Sequence, residues 1–126
     1  MKIEHAAILY HDLEKAKRFF EDYFGASAGK LYRNEKTGFS SYFLTFEDGC
    51  RLEIMNRLDA KESKEKNAFG FSHIAFSVGS QKTVDVLTER LRNDGFSVLG
   101  EPRVTGDGYY ESVIADTEGN TIEITV

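Results

Sequence analysis

Four things are scarce in this chain of 126 residues: cysteine, proline, histidine and any concentration of positive charge. The lone Cys50 excludes an internal disulfide and suits a reducing cytoplasm. The single proline, Pro102, falls after the second of two helical patterns, where a loop is expected. The formal net charge is -5 and no basic cluster stands out, which argues against nucleic acid and anionic membranes as partners. No apolar run approaches the ~20 residues of a membrane helix. The opening "MKIEHAAILY" lacks a signal peptide's charged-then-apolar layout, so the expected location is cytoplasmic. With a charged fraction of 29%, the chain reads as one ordinary domain over 1–126, long enough to bury a core.

What the sequence does contain is a repeat. "EDGCRLEIM" (47–55) and "TEGNTIEITV" (117–126) share Gly, two residues, an aliphatic, Glu and Ile. Gly49 and Gly119, Glu53 and Glu123, and Gly25 and Gly95 are each 70 positions apart. "EHAAI" (4–8) and "SHIAF" (72–76) open the two halves, with His5 and His73 68 apart. Each half follows one plan. A strand, about 2–10 and again 71–78, leads into an amphipathic helix. The first helix starts from Asp12 as N-cap, carries Leu13, Ala16, Phe20, Tyr23 and Phe24 at helical spacing, and stops at Gly25. The second is capped by Ser80, buries Val84, Leu87 and Leu91, and stops at Gly95. Three short strands then follow in each half, between turns at "KTG", "EDG", "GDG" and "TEG". The fold class is therefore α+β, two tandem βαβββ modules at about 1–56 and 71–126. A charged crossover at about 57–70 joins them.

Strand parity then places the polar residues. Leu52 and Ile54 oppose Glu53, and Ile122, Ile124 and Val126 oppose Glu123. Ala6 and Ile8 oppose His5; Ile74 and Phe76 oppose His73. Two imidazoles and two carboxylates are expected on the side away from the helices. That set suits a divalent metal such as Zn²⁺, Ni²⁺, Mn²⁺, Co²⁺ or Fe²⁺, and in an octahedral shell it leaves two adjacent positions open. Glu4 adjoins His5 but is expected on the other face. Other residues carry less. His11 suits a capping or surface role, Cys50 is a small filler without a nucleophile motif, and one of Tyr109 and Tyr110 is expected to face the cavity.

The paired modules, "EHAAI", "GCRLEIM", "FSHIAFSV" and "DTEGNTIEI", resemble the vicinal oxygen chelate superfamily over essentially the whole chain. That superfamily includes glyoxalase I, fosfomycin- and bleomycin-resistance proteins, extradiol dioxygenases and methylmalonyl-CoA epimerase. The resemblance implies a cupped mixed sheet around a metal cavity, with modules paired within one chain or across a homodimer. It implies His5, Glu53, His73 and Glu123 as metal ligands. An acid at the position of Glu53 favours a glyoxalase I-like lyase or isomerase acting on an α-oxo or α-hydroxycarbonyl small molecule. Glu123 is then the principal base and Glu53 its partner, with enediolate stabilisation by the metal. Leu9 and Arg57 stand where glyoxalase I has an arginine and an asparagine, so the glutathione pattern does not carry over. A sequestering resistance protein, a thiol transferase and a dioxygenase are the other functions the family implies.

Overall fold

The computed structural model describes residues 3–61 and 70–126. The chain divides into two compact units between positions 64 and 65, inside the charged crossover expected at 57–70. The middle of that crossover, 62–69, lies outside the described residues. The first unit contains β1 (Ala6–Leu9), α1 (Leu13–Phe24), β2 (Ser27–Ala28), β3 (Tyr32–Asn34), β4 (Phe39–Thr45) and β5 (Arg51–Asn56). The second contains β6 (Ile74–Ser77), α2 (Gln81–Asn93), β7 (Val98–Val104), β8 (Tyr110–Ala115) and β9 (Thr121–Thr125).

Each helix is delimited by side-chain chemistry. Asp12 is extended and its carboxylate accepts from the Lys15 amide at 2.9 Å, satisfying a donor that the first turn leaves free. Gly25, at φ 66°, closes α1 in the left-handed conformation that glycine tolerates best. Ser80 accepts from the Thr83 amide at 3.1 Å in the same way. The buried stripe of α1 is Ala16, Phe19 and Phe20, so Phe19 faces inward and Tyr23 and Phe24 only partly do. On α2 it is Val84, Leu87, Thr88 and Leu91.

Both units have one topology. In the first sheet the order is β1-β5-β4-β2, with β3 also on β4; in the second it is β6-β9-β8-β7. β1 runs parallel to β5 and β6 parallel to β9, and the other pairs are antiparallel. Each sheet is therefore mixed, and the fold is the α+β one expected. Helix α1 packs on β4 and β5, and α2 on β7, β8 and β9. Tyr42, Leu44, Leu52 and Ile54 are buried in one unit, and Ile114, Ile122 and Ile124 in the other. The helix faces of the sheets are thus the apolar ones, as the alternation of residues requires.

Three expectations need correction. The opening strands are shorter than 2–10 and 71–78, because only 6–9 and 74–77 find a ladder partner. The third strand from the end of the first module is split into β2 and β3 around Gly29, whose amide instead donates to the Phe43 carbonyl at 2.9 Å. Pro102 lies within β7, where the register shifts between Gly100 and Arg103. β7 is the last strand of its sheet, so the missing proline N–H interrupts no inner ladder.

A strand tyrosine ties each helix to its sheet. Tyr42 donates to the Glu14 carboxylate, and Tyr110 to Asp85 at 2.6 Å. Those bonds to carboxylates, followed by desolvation, raise both phenols above the ordinary ~10. A raised folded value means stability that is present at neutral pH and lost as pH climbs through it. In an alkaline ultraviolet titration, Tyr42→Phe and Tyr110→Phe are each expected to remove amplitude from the latest part of the curve. Loss from the early part would contradict the assignment.

Candidate metal-binding faces

The same hairpin presents both acids. Gly49 and Gly119 sit at φ 85° and 87° in the turns before β5 and β9, a conformation that side chains with a Cβ resist. Each turn is closed by a backbone bond, from the Phe46 amide to the Cys50 carbonyl and from the Asp116 amide to the Asn120 carbonyl. Glu53 and Glu123 follow four residues later, opposite Ala7 and Ala75 in the parallel ladders. The two histidines come two residues before those alanines, one position before β1 and β6 begin.

This placement makes a His–Glu pair on the face of each sheet away from its helix. In the first unit His5 Nε2 is 3.9 Å from Glu53 Oε2, and in the second His73 Nε2 is 3.2 Å from Glu123 Oε2. The carboxylates are the more sheltered partners, with 13% and 21% of the side chain exposed. Donors to one zinc-sized ion bound at about 2.0–2.2 Å lie roughly 3 Å apart when adjacent. The second pair fits that spacing, and the first is wider. Both offer the imidazole and carboxylate atoms that divalent metals take. Among the described residues, no three His, Cys, Asp or Glu side chains are gathered as a metal ion would need. What each unit supplies is a pair.

Glu4 does not keep to the opposite face. Its carboxylate meets His5 Nδ1 at 2.5 Å and also accepts from Arg51. Residues 4 and 5 precede the ladder, so strand alternation does not constrain them. The hydrogen bond with His5, and then the Arg51 contacts, hold the Glu4 carboxyl below its usual range. Arg51 also lies over the Phe43 ring at 4.4 Å, and Phe43 meets the His5 ring edge-on at 5.1 Å. Phe43 is the cross-strand partner of Glu53. In the second unit His73 Nδ1 is 3.3 Å from the Ser72 hydroxyl. Arg103 and Glu111, 3.7 Å apart, share the Glu123 face, since Glu111 pairs with Thr125.

Glu4, Phe43, Arg51, Arg103 and Glu111 were not among the expected site residues. Four of them have a legible signal: Phe43, Arg51 and Glu111 share the strand parity of the acids, and Arg103 pairs with Glu111. Tyr110 turns to the helix side through Asp85, so of the two tyrosines only Tyr109, exposed just before β8, stays available for the expected cavity role. His11 is exposed before α1, as a surface residue would be. Cys50 is exposed in its turn rather than a filler of the interior. Leu9 is 47% exposed on the Glu53 face, and Arg57 is engaged by Asp59 through two bonds of 2.9 and 2.8 Å.

Duplicated βαβββ modules, each with a His–Glu pair opposite its helix, define a class. The chain belongs to the glyoxalase/bleomycin resistance protein/dioxygenase superfamily, whose model matches residues 2–124. It is 27% identical to the protein YqjT of Bacillus subtilis, over 97% of this chain and 96% of that one. It also resembles the solved structure of a possible glyoxalase from Bacillus cereus, with 26% identity, a TM-score of 0.73, and 100% and 99% of the two chains covered. A fosfomycin resistance protein, FosX, from Listeria monocytogenes, solved with Mn(II) and sulfate, shares the fold at 21% identity and a TM-score of 0.75, covering 99% of this chain and 91% of that one. No helix among the described residues is long and apolar enough to cross a membrane.

Proposed function

We propose that this protein is a glyoxalase I-like, metal-dependent lyase or isomerase of the cytoplasm. Its substrate is a small α-oxo or α-hydroxycarbonyl compound, including the hemithioacetals of thiols. The observation that carries this reading is the His–Glu pair in each unit, on the face opposite the helix. His5, Glu53, His73 and Glu123 would together hold one divalent cation, with the two faces brought together in one chain or across a homodimer. The Mn(II) in the Listeria structure supports a metal on this fold.

Each residue has a distinct task. His5 and His73 present Nε2 as neutral donors. Glu123 takes the proton from carbon, being an acid held beside His73 at 3.2 Å yet one-fifth exposed to incoming substrate. Glu53 is the second carboxylate, and serves a proton arriving or leaving on the other side. When bound, the cation supplies Lewis acidity to two neighbouring substrate oxygens. The absence of an arginine at Leu9, and the engagement of Arg57 by Asp59, speak for a substrate other than a glutathione adduct.

Metal analysis of protein purified without an affinity tag tests the first part. The expected result is about one divalent ion per four-residue set. Turnover of a panel of hemithioacetals made from several thiols tests the second. Metal-loaded protein that leaves all of them and simple α-hydroxycarbonyls unchanged, while binding a drug-like molecule tightly without metal, would indicate a sequestering protein instead.

A further inference from the structure

We propose that Glu4 is a positioning residue for His5. Its carboxylate fixes the ring with the proton on Nδ1 and the lone pair on Nε2, turned toward Glu53, and Arg51 anchors Glu4 in that place. The part of this inference that concerns metal rests on the function proposed above; the part that concerns the ring does not.

The geometry is a closed set of contacts. Glu4 Oε2 meets His5 Nδ1 at 2.5 Å while Glu4 Oε1 accepts from Arg51 Nη2. Arg51 lies over Phe43, and the Phe43 and His5 rings meet in a T-shaped contact. The imidazole is therefore met at one nitrogen by Glu4 and by the Phe43 ring, and Arg51 touches both of those residues. An ionised carboxylate has no proton to give, so the nitrogen that faces it must donate. Which imidazole nitrogen carries the proton is set by the bond that the other nitrogen's partner allows. Glu4 thus leaves Nε2 as the unprotonated atom, which is the form a metal takes. A carboxylate behind a ligating histidine also raises its basicity and fixes its orientation. Arg51 balances the charge that Glu4 would otherwise add beside Glu53.

Among the described residues, the second unit lacks this device. His73 Nδ1 has the Ser72 hydroxyl at 3.3 Å, a group that donates as readily as it accepts and so does not by itself set that nitrogen's proton. Positions 70 beyond Phe43 and Arg51 hold Val113 and Thr121, which supply neither ring nor cation. The duplicated modules therefore treat their histidines differently, and His5 is the pre-organised one.

Long-range proton–nitrogen spectra of the metal-free protein test the ring directly, at a pH where the imidazoles are neutral. Only three histidines contribute. Wild type is expected to show His5 protonated at Nδ1. In Glu4→Ala that signature is expected to move toward Nε2 protonation, with His11 and His73 unchanged. Zn²⁺ affinity, by competition with a chelating dye, is expected to fall about 10–100-fold in Glu4→Ala. Glu4→Gln, which keeps a neutral acceptor, should fall between the two and guards against a fold defect in the alanine variant. The same His5 tautomer in all three proteins would overturn the proposal. So would equal Zn²⁺ affinity. If wild type binds no Zn²⁺, the metal reading of the four residues fails, while the spectra still decide the role of Glu4.

Discussion

Glu123→Gln is expected to lower turnover of the best hemithioacetal or α-hydroxycarbonyl substrate by about 10²–10⁴-fold, the range for losing a general base. An amide keeps the shape of the side chain and an oxygen that coordinates weakly, but it cannot take a proton. Metal content should therefore fall much less than the rate. The measurement is kcat beside metal per protein, on the same sample. If the two fall in proportion, Glu123 is a ligand only and the base lies elsewhere, with Glu111 the acid on the same face of that sheet. Glu53→Gln should harm one substrate enantiomer more than the other if the two acids flank the reacting carbon.

Phe20→Ala is expected to destabilise the fold by about 3–5 kcal/mol, the cost of emptying a large aromatic site in a core. Phe20 is fully buried and lies 5.2 Å from the Phe19 ring, 6.0 Å from Phe24 and 6.4 Å from Tyr10. These neighbours belong to the same helix and to the segment just after β1, so they cannot close over the gap without moving the strand behind His5. Against a total stability of about 5–15 kcal/mol, the loss is a large fraction. Denaturant midpoints of wild type and variant check it. A change under about 1 kcal/mol would mean that the cluster of rings repacks freely.

The repeat was legible because its signal is strict. Gly49 and Gly119 must turn through positive φ, and the alternation around Glu53 and Glu123 must match a helix-facing side, so both halves declare themselves in residue type alone. The caps at Asp12 and Ser80 were legible for the same reason, since few side chains satisfy a free amide. Phe19 was missed because a run of two phenylalanines gives no phase to the helical period. The split of β2 from β3 was missed because a short polar edge strand has no buried face to pattern it. Pro102 misled because proline is read as a loop residue unless the strand is known to be an edge. The faces of Glu53 and Glu123 followed from parity, but Glu4 did not, because parity holds only inside a ladder. Second partners of a histidine depend on where an unpaired terminus folds, and sequence spacing does not record that.

One edge of each sheet bears on how the protein behaves while it is being made and when it is crowded. Each sheet has one irregular edge: β2 and β3 are parted around Gly29, and the register of β7 with β8 shifts around Pro102. A long, flat edge would offer the free amides and carbonyls that recruit strands from other chains, the route to aggregation in β-rich proteins. Here an arriving strand meets a gap on one sheet and a missing donor beside the Arg103 charge on the other. By that argument these two sheet margins are poor templates for fibres.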